Sequence, residues 1–278
     1  MTSLYRSFRA LNGPPAPPLP FGLVPSSTSD TLASAGSPRR SLSPVEIDAK
    51  AARLRRMSKS VKTSARLHQV EANANGSRSF LAMLTLTYAP DQDHDKRDIS
   101  RLLKCVREWH RRRGLHFRYV WVMELHKSGR PHYHVLIWLP RGYRLPKPDA
   151  RGWWPKGSTR IEGARSAVAY VAKYASKLSN AAQDGSHAEF NALPKGARIH
   201  GAGGLSERSK RIRRWWLAPM WARRLWHPSE DPRPAPGGGW LSRVLGSWMP
   251  SPWSVRFDQG RVFAHWVGWP VRPLEVSP

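Results

Sequence analysis

His132 and His134, in the stretch GRPHYHVLIWLP (129–140), flank Tyr133 at the head of an apolar run. On an extended chain, side chains alternate faces, so these two imidazoles share one face about 7 Å apart. At that spacing their neutral nitrogen lone pairs can converge on one divalent cation. A second group lies in AVAYVAKYASKLSN, 167–180. Advancing 100° per residue, Val168, Val171, Ala172, Ala175 and Leu178 form an apolar stripe, with Tyr170, Lys173, Tyr174 and Lys177 opposite. Each tyrosine is followed three positions later by a lysine, a neighbour on a helix surface. Making a phenolate at pH 7 costs about 4 kcal/mol. A nearby ammonium or metal-bound phosphate lowers that cost, and lysines stabilise charge on phosphoryl oxygens. An isolated H-x-H is more often an ordinary sheet pair, and an isolated Tyr-Lys face is more often a basic surface. Together, in a chain this basic, they point to phosphoryl transfer.

Counting back through HKSG supplies a third metal ligand. If Lys127-Ser128-Gly129 is a three-residue loop with Gly129 left-handed, Glu124 falls opposite His132 and shares the histidine face. Two imidazoles and a carboxylate with open positions suit Mg²⁺ or Mn²⁺ holding a phosphate. A four-residue loop would put Glu124 opposite Tyr133 instead, leaving His126 as the substitute ligand.

These residues need elements to position them. FLAMLTLTY (80–88), FRYVWVMEL (117–125) and residues 131–139 are β-branched and aromatic-rich runs between turn signals, and read as strands. From Asp95 to Arg113, Ile99, Leu102, Leu103, Val106 and Trp109 recur at helical spacing, with Gly114 as the stop. A second helix is expected from Ser166 to Asn180. Strand, helix, hairpin, helix predicts an α+β domain over 78–182, an antiparallel sheet with helices on one face. Residues 1–45 are Pro/Ser-rich and expected to be disordered, and 46–77 suit a basic helix. Residues 183–278 hold nine of the 14 tryptophans and end in WSVRF-DQG-RVFAHWV, an expected hairpin closed by Asp258-Gln259-Gly260. Met57 opens a plausible shorter chain, leaving open whether residues 1–56 are translated.

The chain of 278 residues has a formal charge of +27, which calls for a polyanionic partner. The single cysteine, Cys105, rules out an internal disulfide and a Cys-rich zinc site. No apolar run is long enough to span a bilayer, so no stable membrane insertion is expected and the chain reads as intracellular.

FLAMLTLTY, GRPHYHVLIWLP and YVAKYASK, in that order, resemble the three motifs of the HUH endonuclease superfamily, specifically rolling-circle replication initiators of single-stranded DNA phages and plasmids. PHYH is similar to the family's metal-binding histidine pair, and YVAKY resembles its two-tyrosine branch, with filamentous-phage initiators nearest. The resemblance spans about 105 residues, 78–182. It implies a ferredoxin/RRM-like antiparallel sheet with the histidines on a central strand and the nucleophile helix alongside. It also implies that His132 and His134, with Glu124 less securely, bind Mg²⁺ or Mn²⁺. Tyr170 or Tyr174 would attack the scissile phosphate at a single-stranded origin, leaving a 5′-phosphotyrosine and a 3′-OH primer, with Lys173 and Lys177 at hand. The setting implied is the cytoplasm of a bacterial host. No G-x-x-x-x-G-K-[ST] motif occurs, so a host helicase would unwind and a host polymerase extend.

Two other classes compete. A non-catalytic module could stack bases of single-stranded nucleic acid on Tyr133 and Trp138. A membrane-surface protein could use KRIRRWWLAPMWARRLW as an interfacial helix, although Pro219 interrupts it. A relaxase or transposase would share the same chemistry as the initiator.

Overall fold

The computed structural model describes residues 43–74, 79–125, 130–173, 198–236, 238–268 and 274–275. Most of the segment expected to be disordered, 1–42, lies outside them. Strands run in chain order as β1 (Val45–Glu46), β2 (Ser79–Tyr88), β3 (Arg118–Leu125), β4 (Pro131–Pro140), β5 (Gly157–Gly163), β6 (His200–Gly203), β7 (Pro232–Pro234), β8 (Trp240–Ser242), β9 (Ser247–Met249), β10 (Trp253–Asp258), β11 (Arg261–Trp266) and β12 (Leu274–Glu275). The helices are α1 (Ala49–Ala74), α2 (Asp98–Arg111), α3 (described over 167–173), α4 (Glu207–Leu217) and α5 (Met220–Leu225). The architecture is α+β, with antiparallel sheets.

Contacts divide the chain into two compact units. The larger is organised by a five-stranded sheet ordered β5-β2-β4-β3-β6, antiparallel throughout. Tyr133 to Leu139 of β4 are buried without interruption, so this central strand needs cover on both sides. It has it. Helix α1 lies on the face that carries His132 and His134, where His68 packs on Trp138 with ring centroids 4.8 Å apart and Glu71 pairs with Arg118. Helix α2 lies against the opposite face, where Tyr88 Oη donates to Asp98 Oδ2 at 3.0 Å. The expectation of helices on one face is therefore corrected: a run apolar on both sides cannot leave one face to water.

Helix α2 follows its sequence pattern, burying Ile99, Leu102, Leu103, Val106 and Trp109. Two strands lie outside that pattern. β5 (GSTRIEG) extends the sheet beside β2. β6 (HGAG), from beyond the tyrosine helix, pairs with β3 as the opposite edge. Adjoining the two edge strands, Ala164 N donates to Leu81 O at 2.8 Å and Met123 N donates to Ile199 O at 2.9 Å.

Further along, Pro219 separates α4 from α5. Trp221 and Trp226 pack with Ala218, Ala222 and Met249 in a second small core, beside the four-stranded sheet β12-β9-β8-β7. Trp215 is buried too, its Nε1 donating to Trp226 O at 2.5 Å. The basic aromatic stretch thus turns these three tryptophans inward, which leaves an interfacial helix without its apolar face. Among the described residues no helix is long and apolar enough to cross a membrane.

The smaller unit contains a three-stranded sheet, β1-β11-β10. Its hairpin closes tighter than expected: Asp258 pairs with Arg261, so Gln259 and Gly260 alone make the turn, both with positive φ.

Candidate active site

β4 carries His132 and His134 onto one face of the sheet, their ring centroids 4.8 Å apart. The neighbouring strand fixes each ring. Thr85 is the ladder partner of His134 and Thr87 that of His132, and each threonine Oγ1 lies 3.2 Å from its histidine's Nδ1. Sequence reasoning missed these threonines. Their signal was the alternation Leu84-Thr85-Leu86-Thr87, which puts both hydroxyls on one face of β2. A hydroxyl both donates and accepts, so each threonine supports either tautomer of its histidine. When Nδ1–H donates to the threonine oxygen, Nε2 presents a lone pair to the site.

On the other side, Glu124 of β3 is the ladder partner of His132, the register expected from the loop count. Residues 126–129, with His126 and the loop itself, lie outside the described residues. The Glu124 carboxylate leans along the strand to His134, with Oε1 3.0 Å from Nε2. In that arrangement His134 donates through Nε2–H and accepts from Thr85 through Nδ1. Among the described residues no three His, Cys, Asp or Glu side chains form a ready-made metal cage. The donor set still fits a divalent cation. Two imidazoles with Nε2 on one face, each oriented at Nδ1, stand beside a carboxylate that need only release His134 to join them.

Behind the histidines, Tyr133 is buried, with its hydroxyl 2.8 Å from His94 Nε2. Burial, then the neighbouring Asp98 charge among other causes, pushes its ionisation far above the ordinary phenol range; Tyr88 is pushed up in the same way, by burial and then by Tyr133 and Asp98. Neither phenol suits a nucleophile. Tyr133 and Trp138 are only 1% and 2% exposed, so neither can stack a nucleic-acid base from that position.

The described part of α3 starts near Leu81. Ala167 and Val168 line one cavity with Leu81 and Gln69, and Gln69 accepts from Trp138 Nε1 on the histidine-bearing face. Ala167 and Val171, four apart, are buried, while Val168 and Tyr170 pack half-buried against the same core and Lys173 is exposed. The inward face is thus centred one residue away from the expected stripe, and the Tyr170 ring flanks the core rather than standing opposite it. Tyr174 and Lys177 lie outside the described residues.

Residues 81–179, about a third of the chain, match the family model described as replication-associated protein ORF2. The matched segment includes β2, β4, Glu124 and the whole tyrosine-lysine motif. The match supports a part in the initiation of DNA replication. Comparison with curated proteins finds no match, and neither does comparison with solved structures.

Proposed function

We propose that the protein is a replication initiator of the HUH type, two-tyrosine branch, which nicks and rejoins single-stranded DNA at the origin of a phage or plasmid replicon. The observation that carries the reading is the pair His132 and His134, cofacial, each held at Nδ1 by a threonine and flanked by Glu124, within a segment similar to replication-associated proteins.

His132, His134 and Glu124 would hold Mg²⁺ or Mn²⁺, which when bound polarises the scissile phosphate and neutralises its charge. Tyr170 or Tyr174 then attacks phosphorus through its hydroxyl oxygen. The O–P bond to tyrosine forms, the bond to the 3′ oxygen breaks, and the phenol proton is given up. The products are a 5′-phosphotyrosine and a 3′-OH that primes synthesis. Lys173 and Lys177 offset the charge accumulating on the phosphoryl oxygens. Two tyrosines let one hold the parental 5′ end while the other cuts the regenerated origin. A host helicase and polymerase, in the cytoplasm of a bacterial host, would complete the cycle.

The test is a denaturing gel of the protein incubated with single-stranded DNA from its own replicon, labelled downstream of the nick, with and without EDTA. Wild type should form a metal-dependent covalent adduct that survives in Tyr170→Phe and in Tyr174→Phe and disappears in the double variant. Binding without an adduct on every origin fragment sinks the nuclease reading.

A further inference from the structure

Where α1 meets α4 and α5, three cations gather. The Arg213 guanidinium donates to Ser64 Oγ at 2.7 Å and to Ser60 Oγ at 2.6 Å, both neutral hydroxyls. Arg223 stacks over Trp215 and Trp216, 5.8 and 5.4 Å from their ring centroids, and its buried Nε has no hydrogen-bond partner among the described residues. Lys59 stands close enough to Arg223 that, after partial desolvation, the guanidinium charge holds its amine below the usual range. Nearby acids are engaged elsewhere: Asp231 with Arg214 and Arg233, Glu207 with Lys210, Glu71 with Arg118. Among the described residues no carboxylate forms an ion pair with Lys59, Arg213 or Arg223. Like charges held together at partial burial oppose folding unless an anion offsets them.

The position of the cluster suggests which anion. Ser60, next to Lys59, lies 3.1 Å from His200 Nε2. His200 is the ladder partner of Val122, and Val122 that of His134, so all three side chains share the histidine face. His200 is therefore two ladder spacings from His134, about 10 Å. We propose that Lys59, Arg213 and Arg223 form a seat for a backbone phosphate of the same DNA strand whose scissile phosphate sits at His132 and His134. Tightly spaced cations backed by tryptophan rings suit a phosphodiester and carry no base preference.

The inference rests on the reading of His132 and His134 as the cleavage site, and the test keeps the two apart. Binding of a fluorescein-labelled oligothymidylate is followed by anisotropy, in EDTA, across a salt series. The proteins are wild type, Lys59→Gln/Arg223→Gln, and the charge-retaining Lys59→Arg/Arg223→Lys. The neutral pair should bind roughly tenfold more weakly at low salt, and its log affinity should fall less steeply with log salt by about 1.4, two phosphate contacts at about 0.7 each. The charge-retaining pair should stay near wild type. Should the neutral pair fail to fold, Lys59→Gln alone, on one helix surface, should lower the slope by about 0.7. A slope equal to wild type in the folded neutral variant overturns the seat. Wild-type protein that shows the slope yet forms no adduct on origin DNA overturns the cleavage reading and leaves the seat in place.

Discussion

Glu124 stands across the ladder from His132, yet its carboxylate is bonded to His134, 3.0 Å from Nε2. One carboxylate therefore serves both histidines, one by strand pairing and the other by hydrogen bond. Releasing His134 frees an oxygen and a ring nitrogen at the same point, which is what a cation would need.

Glu124→Gln keeps an acceptor for His134 and removes the charge. We expect the Mn²⁺ concentration for half-maximal adduct formation to rise about ten- to a hundredfold, with folding little changed. An unaltered metal titration would reduce Glu124 to a structural partner of His134.

Thr85→Val and Thr87→Val remove the hydroxyls at Nδ1 of His134 and His132 while keeping a branched strand residue. Each should weaken apparent metal affinity roughly tenfold and cost no more than about 1–1.5 kcal/mol of stability in urea unfolding. Metal dependence identical to wild type would show that the rings are oriented by packing alone.

His68 is fully buried, and burial, then the Arg118 charge, brings its ring down to about 3. The unfolded chain takes up a proton near pH 6.5 that the folded chain refuses until far lower. The stability from neutral His68 is therefore complete above pH 6.5 and falls between there and pH 3. Going from pH 7 to pH 5 should cost about 2 kcal/mol from this group. His200, brought to about 4 by burial and then by Arg213, adds a second loss of the same sign. Denaturant midpoints across this range should fall less steeply in His68→Phe than in wild type; parallel slopes would contradict the assignment.

Gly157 opens β5 at φ +147, and a Cβ there would meet Thr87 O at 2.3 Å and Ala89 N at 2.6 Å. The obstacles are backbone atoms of the strand that bears Thr87, so they cannot swing aside. Gly157→Ala should cost more than about 1 kcal/mol and also shift the metal titration, because β2 moves with it. A stable variant with unchanged metal response would mean that the β5 edge relaxes independently of the site.

Much of this was legible in the sequence, for identifiable reasons. The apolar spacing from Ile99 to Trp109 specifies α2 because a helix has one inward stripe. The offset from Glu124 to His132 is fixed by the length of a short loop. Pairings between distant segments were not legible. Nothing in Leu84-Thr85-Leu86-Thr87 says which strand its hydroxyls will face, since the partner is 49 positions from Thr85. Strand β6 is harder still. A Cβ on Gly201 would lie 2.5 Å from Trp121 Nε1, so the neighbouring aromatic excludes the branched residues that usually announce a strand. The sheet face chosen by α1 depends on His68 and Glu71 finding Trp138 and Arg118, which no local period reveals.

The tyrosine motif lies on chain that leaves one rim of the sheet after β5 and rejoins it at the other rim through β6. Four strand spacings, about 19 Å, separate those rims. The nucleophile is thus borne on a span moored at two abutments rather than on a free arm. A 5′ end joined to it cannot swing away by loosening one mooring. Severing the span by protease would leave two stumps, each still tied into the same sheet by its own backbone ladder.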